Sequence, residues 1–324
     1  MDKINWGIIG CGDVCEKKSG PAFYKIEGSH LEAVMRRDEA KAKDFAQRHN
    51  VPKYYADADD LISDPEVQAI YVATPPSTHK EYALKALRAG KSVYVEKPMA
   101  MHYADCKEMI EVAVAENQKL FVAFYRRALP YFVKVKEVLD SGVLGDVLCV
   151  DVKHFKMAQP TDFDPSHHTW RIDKDIAGEG YFYDLAPHTL DILDFLLGEI
   201  EEARGFSANL GKLYDVKDTI SAVLRFKSGV QGVAQWCFVV EESSVQDSIV
   251  ITGTKGDISF STFAFSPVKL TFGGQSQIFE IKTPEHIQQP LIQTIVDELR
   301  GIGKCPSTGE SGARTSKVMD DILR

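Results

Sequence analysis

The sequence predicts an α/β chain in two parts: a parallel sheet covered on both faces by helices, then an α+β part built on a mostly antiparallel sheet. Short, continuously apolar strands alternate with amphipathic helices through the first third of the chain, the pattern of a doubly covered parallel sheet. Between residues 201 and 281 the texture becomes alternating or β-branched runs separated by glycine turns, which implies consecutive antiparallel strands. The change falls near residue 125. Two domains are therefore expected, residues 1–124 and 125–324, a division that suits 324 residues.

In chain order, the apolar run Trp6–Ile9 reads as the first strand and enters a glycine turn. The runs 31–35, 69–73, 92–95 and 120–124 read as further strands, with helices expected over 39–49, 79–89 and 103–117 between them. A helix over 130–141 leads to a strand over 147–156 and a polar loop over 159–175. A strongly apolar helix is expected over 185–197. The strands 219–226, 230–239 and 248–252 follow, with hairpin turns at Ser228-Gly229, Lys255-Gly256 and Gly273-Gly274.

Charge excludes some functions. Lys and Arg number 38 against 47 Asp and Glu, for a net charge of −9 and no basic tract, so nucleic acid is not an expected partner. No apolar run approaches the roughly 20 residues of a membrane helix. The start lacks the charged and apolar regions of a signal peptide. Six scattered cysteines read as reduced thiols, and the cytoplasm is the expected compartment. No metal-ligand spacing is present; His167-His168 with Asp162 and Asp164 reads as a polar loop lining a cleft.

The first chemical signal is Gly7-Ile8-Ile9-Gly10-Cys11-Gly12-Asp13-Val14-Cys15, which follows a strand and opens a helix. In that context G-x-G-x-x-G means dinucleotide binding, the N-terminal domain being a Rossmann unit. Gly10 provides the tight turn, and Gly12 lets backbone amides approach a pyrophosphate at the helix N-terminus, beside Asp13 and Val14. The third position is Cys15, small enough for close helix packing. An acid that would hold the ribose of NAD is expected near the end of the second strand. Arg36 stands there, followed by Arg37 and Asp38. Guanidinium groups pair with phosphate, so NADP is favoured, with NAD possible if Asp38 takes the ribose.

The segment Val93-Tyr94-Val95-Glu96-Lys97-Pro98-Met99-Ala100, together with Ala73-Thr74-Pro75-Pro76 and Trp170-Arg171…Asp184…His188, resembles the Gfo/Idh/MocA oxidoreductase family. The resemblance is strongest over residues 5–145 and 170–198. It implies a Rossmann domain followed by a domain with a large, mostly antiparallel open sheet, substrate held between the two, and homodimers or homotetramers formed through that sheet. It implies Lys97 as the catalytic lysine, followed by a cis peptide at Pro98, with Asp184 and His188 completing a trio. Cofactor contacts are expected from Thr74, Pro75, Glu96, Lys97, Arg126, Trp170 and Arg171. His79 reads either as a residue beside the cofactor or as a helix start.

The chemistry of these side chains agrees. Oxidising an alcohol removes a hydride and a proton, so the protein supplies a base and an orienting cation. If Asp184 caps the apolar helix, Asp184 and His188 share one face of its first turn, where Pro187 is tolerated and the dipole favours neutral imidazole. His188 is then the general acid/base, Lys97 the electrostatic partner or proton relay and Asp184 the orienter or a substrate ligand. The expected function is an NADP-preferring oxidoreductase acting on a carbinol carbon of a sugar, sugar derivative or cyclic polyol. Two rivals are an NAD-dependent glycosidase of the same fold and a non-catalytic dinucleotide-sensing regulator.

Overall fold

The structure, a computed structural model, describes residues 3–324. The chain divides into two compact units, residues 1–129 with 283–313, and residues 130–282 with 314–324.

The first unit is built on six parallel strands: β1 (Ile4–Ile9), β2 (Ser29–Met35), β3 (Lys53–Tyr55), β4 (Ala69–Val72), β5 (Ser92–Val95) and β6 (Leu120–Val122). Their spatial order is β3-β2-β1-β4-β5-β6. Helices α1 (Asp13–Lys17), α2 (Ala22–Lys25), α3 (Glu39–Arg48), α4 (Ala58–Ser63), α5 (His79–Arg88) and α6 (Tyr103–Ala115) connect them. Every residue of β4 and β5 is buried, which is why β4, and β5 after Ser92, read as apolar runs. The strand order reverses between β1 and β4, and the crevice beyond the carboxyl ends of strands at such a reversal is where open α/β sheets bind ligands.

The second unit begins with α7 (Pro130–Asp140) and β7 (Val147–Phe155), followed by α8 (Lys174–Ala177) and α9 (Gly180–Leu197). Strands β8 (Ile200–Ala208), β9 (Thr219–Phe226), β10 (Gln231–Cys237), β11 (Gln246–Gly253), β12 (Gly256–Phe260), β13 (Val268–Phe272) and β14 (Gln275–Phe279) complete an eight-stranded sheet. All its pairings are antiparallel except β7 with β10. On β9, Ile220, Ala222, Leu224 and Phe226 are buried while Val223 and Arg225 are exposed, so one face of the sheet is covered. Trp236 meets Phe182 of α9 edge-on at 5.3 Å. Burying each such large apolar side chain contributes about 1.5–3 kcal/mol.

The chain then returns to the first unit through α10 (Gln289–Leu299), and the division between units falls inside α11 (Gly309–Leu323). The single boundary at 124/125 therefore needs correction. Residues 283–313 carry the polar side chain that completes a buried network under the first sheet, so they pack with it and not with the antiparallel sheet that precedes them.

Candidate active site

The glycine turn lies at the end of β1, held there by Gly10 N–H and Cys11 N–H, which both donate to the Met35 carbonyl at the end of β2. Gly10 has φ +90°, and a Cβ there would sit 2.8 Å from Thr74 Cγ2 and 3.1 Å from the Ala73 backbone, so only glycine fits. At Gly12 a Cβ would meet nothing nearer than the Gly10 oxygen at 3.9 Å. The turn is thus closed behind and open in front, a cradle that fits a pyrophosphate. Cys15 is fully buried, its thiol directed at the Gly10 carbonyl at 3.8 Å, and burial pushes that thiol up and away from reactivity. It packs.

One expectation changes here. The helix after the turn, α1, has only five residues, so its dipole offers less than a long helix would. Ser19-Gly20-Pro21 ends the helical run, and a Cβ at Gly20 would fall 2.1 Å from the Cys15 carbonyl oxygen. Asp13 and Val14 open this short helix.

Arg36 leaves the end of β2 with its guanidinium 3.5 Å from the Cys11 carbonyl, beside the glycine turn. Arg37 is exposed. Asp38 is engaged elsewhere: it caps α3 by accepting the Lys41 N–H at 3.2 Å and pairs with the Lys41 ammonium, and these contacts hold its carboxyl below the usual range.

The loops after β4 and β5 are tied together by His79, which is fully buried at the start of α5. Its Nδ1 lies 2.8 Å from the Pro98 carbonyl and its Nε2 lies 2.7 Å from the Thr74 carbonyl, so the ring lies beneath these loops. Burial pushes its pKa down. Thr74 Oγ1 accepts the Thr78 hydroxyl at 2.8 Å, and Pro75 caps the single turn that follows. Glu96 is 8% exposed and accepts from Tyr71 Oη at 2.6 Å, from Gln288 Nε2 at 2.7 Å and from its neighbour's backbone, Lys97 N–H, at 3.1 Å. Lys97 is half-buried and precedes a cis peptide to Pro98, as the resemblance implies. Arg126 is buried with its guanidinium 4.8 Å from the Tyr125 ring.

Within the second unit, Trp170, Arg171 and Asp184 come together. Arg171 lies 4.8 Å over the Trp170 ring and donates Nε to Asp184 Oδ2 at 3.3 Å. His188, four residues on from Asp184, is 5% exposed, and the Phe263 ring meets it edge-on at 5.7 Å. The expected cap geometry is corrected. α9 starts at Gly180, so Asp184 lies inside the helix, Pro187 is an interior proline and His188 is the ninth residue. Gly178 and Gly180, at φ +71° and +61°, reverse the chain after α8 and let the helix begin early. The dipole argument for neutral His188 fails with it, because that effect fades beyond the first turn.

Other candidates resolve into supports. Asp191 is buried and its Oδ1 lies 3.5 Å from Thr315 Oγ1, while Asp194 takes a two-pronged pair from Arg314 at 2.7 and 2.8 Å. Asp162 accepts Tyr181 Oη at 2.8 Å and Gln159 N–H at 2.7 Å. Gln288 and Phe263 escape the sequence analysis because neither belongs to a motif.

Two family profiles cover most of the chain. Residues 4–124 match the oxidoreductase family with an NAD-binding Rossmann fold, and residues 132–259 match the GFO/IDH/MocA C-terminal domain. The chain belongs to the GFO/IDH/MocA oxidoreductase family. It is 40% identical over 318 residues to oxidoreductase P35 of Formosa agariphila, covering 98% of each chain. It is 30% identical over 279 residues to the trans-1,2-dihydrobenzene-1,2-diol dehydrogenase of Mus musculus, covering 85% of this chain and 80% of that one. In fold it superimposes on the crystal structure of an aldose-aldose oxidoreductase from Caulobacter crescentus complexed with glycerol, at a TM-score of 0.84 and 24% identity, over 98% and 96% of the two chains. GFO/IDH/MocA membership makes this protein a nicotinamide-dinucleotide-binding oxidoreductase.

Proposed function

We propose that the protein is an NADP-preferring dehydrogenase or reductase that acts on a carbinol carbon of a sugar, sugar derivative or cyclic diol. The observation that carries this reading is the open glycine cradle with Arg36 beside it and Asp38 engaged in capping α3. The backbone amides of Asp13 and Val14, at the open side of the glycine turn, hold the pyrophosphate, and Arg36, supported by Arg37, pairs with a 2′-phosphate. When bound, the nicotinamide accepts or gives hydride at its C4.

The protein's own groups manage the proton. His188 takes it from the substrate hydroxyl in the oxidative direction and returns it in reduction. Lys97, whose backbone is fixed by Glu96, stabilises the developing alkoxide. Asp184, restrained by Arg171, orients the imidazole or a neighbouring substrate hydroxyl. Sugars and cyclic diols are favoured because the relatives that the chain resembles are named for a trans-dihydrodiol and for aldoses.

A screen with NADP+ and NAD+ against aldoses and trans-dihydrodiols, followed at the reduced nicotinamide absorbance, tests this reading. Turnover that disappears in Lys97→Ala and in His188→Asn, with dinucleotide binding intact, supports it. Full turnover in either variant removes that residue from the mechanism. Release of an aryl glycoside without net reduction points to the glycosidase rival instead.

Assembly belongs to the same reading. Val223, Val233 and Phe206 are 56, 47 and 89% exposed and border a groove of about 1010 Å³ on the open face of the eight-stranded sheet. A second copy covers this face in a homodimer or homotetramer. Light scattering on the protein and on Val223→Glu tests it; a monomer in both refutes it.

A further inference from the structure

We propose that Asp247 is a positioning residue for His188, acting through the turn that carries Phe263. The inference rests on the reading of His188 as the acid/base, and every contact it uses lies within the second unit.

Asp247, near the start of β11, gathers three backbone donors of one turn. Its Oδ1 accepts Thr262 N–H at 3.0 Å, and its Oδ2 accepts Phe263 N–H at 2.7 Å and Ala264 N–H at 2.8 Å. Burial works to raise its pKa, but these N–H groups and the nearby His154 outweigh it and hold the carboxyl low, so the acceptor stays ionised. From the other side, Tyr131 of α7 accepts Ser261 N–H at 3.1 Å and donates to the Ser266 carbonyl at 2.6 Å. The turn is therefore anchored at both ends.

What it presents is directed at α9. Thr262 Oγ1 lies 3.2 Å from Thr189 Oγ1 in a buried contact, adjacent in sequence to His188. Phe263 stands between two imidazoles, 5.7 Å from His188 and 4.7 Å from His154. His154 is the cross-strand partner of Asp247, 4% exposed, with its Nδ1 3.7 Å from Asp247 Oδ1. His154 keeps its Nδ1 toward the Asp247 carboxylate and backs Phe263 with its ring. Phe263 itself is half-exposed while both imidazoles are buried, and its edge limits the swing of the His188 ring. A base that must meet a substrate proton within hydrogen-bond reach gains from such a stop.

The test uses the full chain loaded with NADP+ and isotopically labelled at histidine, with NMR following the His188 ring against pH. Asp184 and Asp191 flank His188 on its helix, Arg171 pairs with Asp184, and Asp247 and His154 approach from the sheet side. All of these groups other than Asp247 are retained in every turn variant. In Asp247→Ala and Phe263→Leu the His188 titration midpoint should move, and kcat with the most active sugar or diol should fall by about tenfold or more while NADPH affinity holds, since small misplacements of a catalytic group are costly. Asp247→Asn keeps the oxygen that serves Phe263 and Ala264 and should recover most of the loss. Phe263→Leu decides the matter if Asp247→Ala does not fold. An unmoved midpoint and an unchanged kcat in Phe263→Leu overturn the proposal. Full turnover in His188→Asn overturns the acid/base reading on which it rests, a distinct result.

Discussion

Gln288 donates its side-chain amide to Glu96 Oε1 at 2.7 Å across 192 residues of sequence, and the same side chain accepts the Tyr94 hydroxyl at 2.7 Å. Because Glu96 also accepts the Lys97 N–H, a residue from the returning segment helps to fix the backbone of Lys97, the lysine proposed for catalysis.

Replacing Gln288 by Leu leaves Tyr94 Oη without its acceptor and Glu96 without one donor, both in a buried setting. The orphaned Tyr94 hydroxyl costs about 1–3 kcal/mol, while Glu96 keeps the Tyr71 hydroxyl and the Lys97 N–H. The melting temperature should fall by about 2–4 °C per kcal/mol in a scanning fluorimetry experiment. Turnover should fall with it, and an unchanged melting temperature contradicts the network.

Gly10→Ala forces an L-residue into φ +90° with its methyl against Thr74 and the Ala73 backbone. The conformation alone costs about 1–2 kcal/mol. If the turn opens to relieve the clash, dinucleotide affinity should drop by about tenfold or more, since 1.4 kcal/mol is a factor of ten. Equilibrium titration of the variant with NADPH checks this.

The first unit's central strands are readable because buried parallel strands are continuously apolar, as Ala69–Val72 and 93–95 are. β3, Lys53–Tyr55, is not, since three half-exposed polar and aromatic residues carry no period. The start of α9 departs from the expected 185 because an aspartate before an apolar run reads as a cap, while the reversal at Gly178 and Gly180, both at positive φ, is invisible to a hydrophobic pattern. The glycine turn and the Glu96-Lys97-Pro98 segment were legible as local motifs. Gln288, Asp247 and Phe263 were not, because their roles come from contacts between residues far apart in the chain.

Glu16, just after the glycine turn, is held down to about 2 by hydrogen bonding to Arg48 and His49 of the segment after β2. Its folded value lies below its ordinary 4.5, so the unfolded chain binds more protons between the two. The pair's stabilisation is therefore present above about pH 4.5 and is lost as pH falls toward 2. Arg48→Met should flatten the acid limb of melting temperature against pH while lowering the neutral value only slightly, because solvent-exposed pairs contribute little. An acid limb equally steep in both proteins contradicts the assignment.

The glycine cradle and Arg36 are proposed together to hold a nicotinamide dinucleotide with its 2′-phosphate. Fluorescence titration of the purified protein and of Arg36→Ala with NADPH and NADH tests it most directly. NADPH should bind more tightly than NADH, and the variant should lose about tenfold or more in NADPH affinity, as for hydrogen bonds to a charged group. NADH should be nearly unaffected. Equal or tighter binding of NADH by the unmodified protein, or an Arg36→Ala variant that binds NADPH as well as the parent, contradicts it.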